Sequence, residues 1–457
     1  MTEALRLTPT LNMSVLPVAS QPRLVYLLLE VRGGAEGDVL PVNLALVVDI
    51  SESMHVHLAS EAQFKELARR GGLREVMVDG VPVWESPDIP AQVLSHLPRR
   101  VDLVEDALRA AVEHLRPADR FSLVAFAGQA VTLVPNTAGD QKRRLLEAMD
   151  GLDELRLGDD TYIARGIALG FEELQRGSAP GRADRLLVLT DGFAFDEAEC
   201  RAWVSRARQA RVPISTMGLG GEFNEELMIP IADQTGGEAY LLESPDDVPA
   251  AFARELQRAQ TVRYRNLELK LAPSPGVEVR SAHRVCPSIA ALEVVNEGGS
   301  YSFPLGDLTA GEEPALLVEL LVPPRPAGVY RLAQALLAAE DRAGGVLDAK
   351  VRADVVAEYT ADPARAGQQT PEVLRVVEAV TVYKLQRRAQ ADLSTGDIAG
   401  ATRRLRAAAT RLLDMGEVEL AEAMERQARD LEQHGQADPQ QTKKLRYETR
   451  KLGAQIQ

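Results

Sequence analysis

Between Val42 and about Ala259, short apolar runs alternate with amphipathic stretches. "LALVVD", "FSLVAF", "RLLVLTD" and "VPISTMGLG" are nearly all apolar, the pattern of strands buried on both faces. Between them, "VDLVEDALRAAVEHL", "IARGIALGFEELQ", "EAECRAWVSRARQA" and "VPAAFARELQRAQ" repeat apolar residues every three or four positions and predict helices. Strand–helix alternation of this kind predicts an α/β domain over 42–260, a mostly parallel, Rossmann-like sheet covered on both faces. "FSLVAFAGQAVTLVP" reads as a hairpin and predicts one antiparallel edge strand.

The flanking segments follow a different period. From Leu5 to Val31 the chain alternates over short distances, which reads as two strands followed by a turn at "RGGAEGD". From Val262 to Tyr359 come "NLELKLAP", "VEVRSAH", "YSFPLGDL", "PALLVELLVP", "GVYRLAQALLAAED" and "KVRADVVAEY", all strand-like and without helices. They predict an all-β sandwich over 261–360. Lone strands are not stable. The strands of residues 1–41 are therefore expected to pair with that sandwich, making the α/β domain an insertion into it. From 370 to 457 the period is helical, with Gly396 and Gly416 at breaks and Asp397 placed as a cap. That C-terminal region reads equally as a bundle packed on the body or as a repeat-like interaction surface.

The polar residues at the ends of the apolar strands carry the chemistry. In "NLALVVDISESMHVHL" a buried strand runs straight into Asp49, Ser51 and Ser53. "RLLVLTDG" ends in Thr190 and Asp191, and "LGDDTYIARG" places Thr161 in a loop that opens a helix. Ligands of open parallel sheets bind beyond the carboxyl ends of the strands, where these loops converge. Two carboxylates and three hydroxyls form a hard oxygen set, suited to Mg²⁺, with Ca²⁺ and Mn²⁺ as alternatives. His55 and His57 lack a Cys or His cluster and read as surface or packing residues.

In order and spacing, these residues resemble the von Willebrand factor A domain with its metal-ion-dependent adhesion site. Asp49, Ser51 and Ser53 match that family's D-x-S-x-S, Thr161 its lone threonine, and Asp191 its distal aspartate. The resemblance implies direct metal contacts from Ser51, Ser53 and Thr161, and partly water-mediated ones from Asp49 and Asp191. It also implies an open coordination position for a partner's Asp or Glu carboxylate. Two departures stand out. Tyr162 follows the threonine where the family often has a small or amide residue. Residues 55–100 form an insertion ahead of the first helix, with a predicted helix "EAQFKELARRG" and a hairpin "REVMVDGVPVW" turning at Asp79-Gly80.

Composition narrows the function classes. The net charge of −15 disfavours nucleic acid as a partner. Two cysteines make no disulfide framework, the N-terminus lacks a signal-peptide pattern, and the apolar runs are too short to span a bilayer. A cytoplasmic protein is expected. No nucleophile elbow, HExxH or Walker loop is present, so no enzyme is expected. The expected function is a metal-dependent protein-interaction scaffold. The alternatives are an adaptor or subunit of a MoxR- or chelatase-like AAA+ ATPase, and a metal-dependent hydrolase.

Overall fold

A computed structural model describes residues 5–33, 39–57, 69, 74–78, 81–85, 96–221, 223–340 and 346–456 of the 457-residue chain. The chain opens with β1 (Arg6–Leu11), β2 (Val15–Pro17) and β3 (Arg23–Arg32). Next come β4 (Val42–Asp49), a 3-10 turn (Glu52–His55), β5 (Arg74–Val78) and β6 (Val81–Glu85). The α/β segment continues with α1 (Arg100–Glu113), β7 (Arg120–Phe126), β8 (Ala130–Ala138), α2 (Lys142–Met149) and α3 (Ile163–Gly177). It closes with β9 (Ala183–Thr190), α4 (Glu197–Ala210), β10 (Ile214–Leu219), α5 (Glu225–Thr235), β11 (Ala239–Leu242) and α6 (Val248–Gln260). Strands then run without helices as β12 (Val262–Pro273), β13 (Glu278–Cys286), β14 (Ala290–Leu292), β15 (Asn296–Glu297), β16 (Ser300–Thr309), β17 (Ala315–Val322), β18 (Gly328–Glu340) and β19 (Val346–Thr360). The chain ends in α7 (Pro371–Ser394), α8 (Ile398–Met415), α9 (Val418–His434) and α10 (Pro439–Ile456).

These elements form two compact units, Val39–Val262 and the combination of Met1–Asp38 with Arg263–Gln457. The first is a six-stranded sheet in the order β11-β10-β9-β4-β7-β8, parallel except for the antiparallel β7–β8 edge. β4 lies at its centre, and every residue from Val42 to Asp49 is buried. Side chains alternate across a strand. Leu44, Leu46 and Val48 accordingly meet Val104 and Leu108 of α1, Leu145 of α2 and Phe252 of α6. On the opposite face Val47 meets α3, and the fit depends on glycine. A Cβ on Gly166 would lie 2.5 Å from Val47 Cγ1, and one on Gly170 2.7 Å from Val47 Cγ2. The spacing of four residues puts both glycines on one helix face, so α3 can lie close against the sheet.

The second unit is the sandwich. One sheet has the order β1-β3-β17-β13-β14, the other β15-β16-β12-β18-β19-β2. β3 pairs antiparallel with β17 from Arg23↔Val322 to Glu30↔Ala315, and β2 pairs parallel with β19. The N-terminal strands thus complete the sandwich, and the α/β domain interrupts it, as the strand patterns predict. There are three such strands, one more than the alternation suggests, because β2 is only three residues long. Leu27 and Leu29 pack with Leu269, Leu271, Phe303, Val318 and Leu337 between the sheets.

The opposite face of the first sheet is also apolar. Leu28, Val285 and Leu317 pack against Val376, Val380 and Tyr383 of α7 and Leu452 of α10. Helix α10 lies within the helical region expected over 370–457, and its buried face includes Lys443, Arg446 and Arg450 beside Leu445 and Leu452. It also approaches β13 closely: a Cβ on Gly453 would fall 2.0 Å from the Val285 carbonyl oxygen. No helix among the described residues is long and apolar enough to cross a membrane.

Candidate metal centre

The C-terminal ends of β4 and β9 are tied together by one run of side-chain hydrogen bonds. Asp49 Oδ1 accepts the Ser51 backbone N–H at 2.9 Å, and its Oδ2 accepts the Thr190 hydroxyl at 2.6 Å. The Ser51 and Ser53 hydroxyls lie 3.2 Å apart. Ser53 Oγ donates to Asp191 Oδ1 at 2.7 Å. Asp191 Oδ2 accepts Arg100 Nη1 at 2.5 Å. The short turn Glu52–His55 follows directly from Ser51 and keeps Ser53 and Met54 buried. Asp49, Ser51, Ser53 and Asp191 are all fully buried.

Thr161 comes from the third loop. The Tyr162 N–H donates to the Ala127 carbonyl just past β7 at 3.1 Å, and the Phe195 N–H donates to the Thr161 carbonyl at 3.0 Å. Asp196 accepts the Ala164 N–H at 2.8 Å, satisfying a backbone donor in the first turn of α3. These bonds and the glycine face of α3 fix the loop, yet the Thr161 hydroxyl is fully buried and has no hydrogen-bond partner. Such an orphaned group costs about 1–3 kcal/mol unless something completes it.

The electrostatics point the same way. Burial, and after it the charge of Asp191, pushes the Asp49 carboxyl up to about 7, although the Thr190 and Ser51 hydrogen bonds pull it down. Among the described residues, Arg100 pairs with Asp191 and no ion pair reaches Asp49, so ionising Asp49 adds negative charge to a fully buried site. An orphaned hydroxyl, two more hydroxyls and two carboxylates are hard oxygen donors that fit Mg²⁺, Mn²⁺ or Ca²⁺. Among the described residues no group of three or more His, Cys, Asp and Glu could hold a metal. Any cation here would depend on the hydroxyls.

Two participants are absent from the five-residue set read from the sequence. Thr190, beside Asp191, anchors Asp49. Arg100 pairs with Asp191, and its signal is position: a cation in the first turn of a helix opposes the helix dipole. Around the site, the Tyr162 ring lies 6.0 Å from that of Phe195 and beneath the Arg165 guanidinium at 4.1 Å, and Phe193 and Phe195 are exposed. Asp159 and Asp160 are exposed loop residues. The His57 ring hydrogen-bonds the Leu97 carbonyl at 2.9 Å.

The insertion leaves and re-enters at one point. His57 bridges Arg99, and the Arg100 N–H donates to the Val56 carbonyl at 3.3 Å. Its hairpin pairs Arg74↔Glu85 through Val78↔Val81, with Met77 and Trp84 exposed. The Asp79-Gly80 turn and the predicted helix, Arg69 apart, lie outside the described residues.

Residues 95–254 match the von Willebrand factor type A domain, and residues 371–455 match the Sll0103-like, C-terminal alpha-helical domain. The first match begins after the Asp49 loop and includes Arg100, Thr161 and Asp191. The uncharacterised protein sll0103 of Synechocystis is 26% identical over 317 residues, covering 68% of this chain and 74% of that one. YfbK of Escherichia coli, also uncharacterised, is 24% identical over 238 residues, so this chain spans only 40% of its length. A solved von Willebrand factor type A protein from Catenulispora acidiphila superposes with a TM-score of 0.74, over 98% of this chain and 97% of that one. At 15% identity, that likeness is one of fold. The chain therefore carries a von Willebrand factor type A domain and a Sll0103-like helical domain.

Proposed function

We propose that this chain is a non-catalytic scaffold that binds a partner protein through a divalent cation, Mg²⁺ for preference, at the ends of β4 and β9. Asp49, Ser51, Ser53, Thr161 and Asp191 would hold the ion, which supplies an electron-poor position for a partner's Asp or Glu carboxylate. The observation that carries this reading is the Thr161 hydroxyl, fully buried and without a partner beside a buried, charge-rich hydrogen-bond run. Serine and threonine ligands leave a bound cation's charge largely uncompensated, which favours an external anion. The exposed Phe193 and Phe195 beside the loop supply apolar contact area around such a carboxylate. Two relatives in sequence, sll0103 and YfbK, are themselves uncharacterised, and neither name gives a reaction.

The test is capture from the native cell on the immobilised full chain, with Mg²⁺ and with EDTA. A partner retained only with Mg²⁺, and lost in Thr161→Val, supports the reading. Retention indifferent to both EDTA and Thr161→Val refutes it.

A further inference from the structure

Arg100 stands where a scaffold site for a cation has no evident need of a cation of its own. Its guanidinium approaches Asp191 Oδ2 at 2.5 Å, and Ser53 holds the other carboxylate oxygen. The Asp191 side chain is fully buried and that of Arg100 only 16% exposed. Water therefore competes weakly for the pair. In the same chain of bonds, the Ser51 and Ser53 hydroxyls are occupied by one another and by Asp191. Among the described hydroxyls of the five candidate ligands, that of Thr161 is left without a partner.

From this geometry we infer that Arg100 is a built-in competitor for the metal position, a tethered cation that must leave Asp191 before a divalent ion can use that carboxylate. The inference rests on the metal reading above. It goes further by naming a residue, found from no motif, that sets the affinity. The backbone around Arg100 belongs to the stem of the insertion. Its own N–H is held by the Val56 carbonyl, and neighbouring Arg99 bridges His57. Val56 lies three residues from Ser53, so the segment that presents the serines also presents the competing arginine.

Removing the guanidinium has effects of opposite sign in the two states. Without metal, Asp191 loses its buried counter-charge and the protein is less stable. With metal, no displacement is needed and binding is tighter. A purely structural ion pair produces only the first effect.

Isothermal titration with MnCl₂ on the full chain separates these outcomes, using wild type, Arg100→Ala, Arg100→Gln and Thr161→Val. The glutamine variant keeps hydrogen-bond donors without charge, in case the alanine variant folds poorly. Both Arg100 variants are expected to bind Mn²⁺ about tenfold or more tightly than wild type, the usual scale of a competitive coupling. In EDTA they should melt below wild type. Thr161→Val should bind more weakly. If wild type binds Mn²⁺ and the Arg100 variants bind equally or less tightly, the competition is overturned and the metal reading stands. If wild type and both Arg100 variants all fail to bind, both are overturned.

Discussion

Replacing Asp49 with asparagine should stabilise the metal-free protein at pH 8 while abolishing its response to metal. The Asp49 carboxyl sits fully buried beside Asp191 and is pushed up to about 7 from an ordinary value of 3.8. The sign follows from proton binding: between those two values the folded state holds a proton that the unfolded chain has released. The stability contributed by this group is therefore complete below pH 3.8 and lost as pH rises to about 7. At 1.36 kcal/mol per unit the loss reaches at most about 4 kcal/mol. Asparagine is neutral at every pH and keeps an acceptor for the Ser51 N–H. It replaces the acceptor for the Thr190 hydroxyl by a donor, at a cost of about 1 kcal/mol. The net expectation at pH 8 in EDTA is a gain of about 2–3 kcal/mol, measured as an increased urea midpoint at unchanged slope. Wild type should lose stability between pH 5 and pH 8 in EDTA, with much of that slope absent in Asp49→Asn. With Mg²⁺ the order reverses, because ionised Asp49 is then needed and only wild type gains. A metal-free Asp49→Asn protein less stable than wild type at pH 8 would refute the argument that a buried, uncompensated charge governs this site.

Two further outcomes test the scaffold beneath the loops. Gly166→Ala puts a methyl 2.5 Å from Val47 Cγ1 and 2.9 Å from Phe126 Cδ1, and overpacking of this kind costs about 1–3 kcal/mol. It should lower the melting temperature and, by shifting the start of α3, weaken Mn²⁺ binding as well; a melting temperature equal to wild type counts against the close seating of α3. Arg185→Met removes the buried partner of Glu255, whose carboxylate also accepts Ser215 and Tyr240 hydroxyls at 2.7 and 2.6 Å, and should cost about 3–5 kcal/mol by urea denaturation. A loss below 1 kcal/mol would mean that the Ser215 and Tyr240 hydroxyls suffice.

The parts of this fold legible in the sequence are those where one period dominates. β4 is apolar at every position between Asn43 and Asp49, so its burial on both faces can be read directly. The return of two-residue alternation after Val262 marks the sandwich, and the need of β1 and β3 for a partner strand places the α/β domain within it. For helix α10 the helical character was legible but the buried face was not. Its buried face mixes Lys443, Arg446 and Arg450 with Leu445 and Leu452, and a charge-bearing face reads as solvated until its neighbours are known. The five candidate residues stand out in the sequence because three loops each carry a short polar signature at the end of a strand or the start of a helix. Nothing local reveals that the Thr161 hydroxyl has no partner, since that depends on what the other two loops leave unfilled.

Arg100 shows most clearly where local reading ends. It is separated from Ser53 by more than forty residues of insertion, and beside Arg99 it resembles an ordinary basic pair ahead of a helix. Arg99 behaves that way, pairing with Asp102 one turn along. Arg100 instead reaches across to Asp191, 91 residues later in the chain. The difference lies in helix geometry. Adjacent residues on a helix point about 100° apart, so when Arg99 caps the exposed start of α1, Arg100 is directed toward the sheet and the end of β9. A charge in that direction would be costly without Asp191, and Asp191 beside Asp49 would be costly without a cation. The two residues therefore form a pair that neither loop explains alone, and the pair occupies the carboxylate that a metal would need.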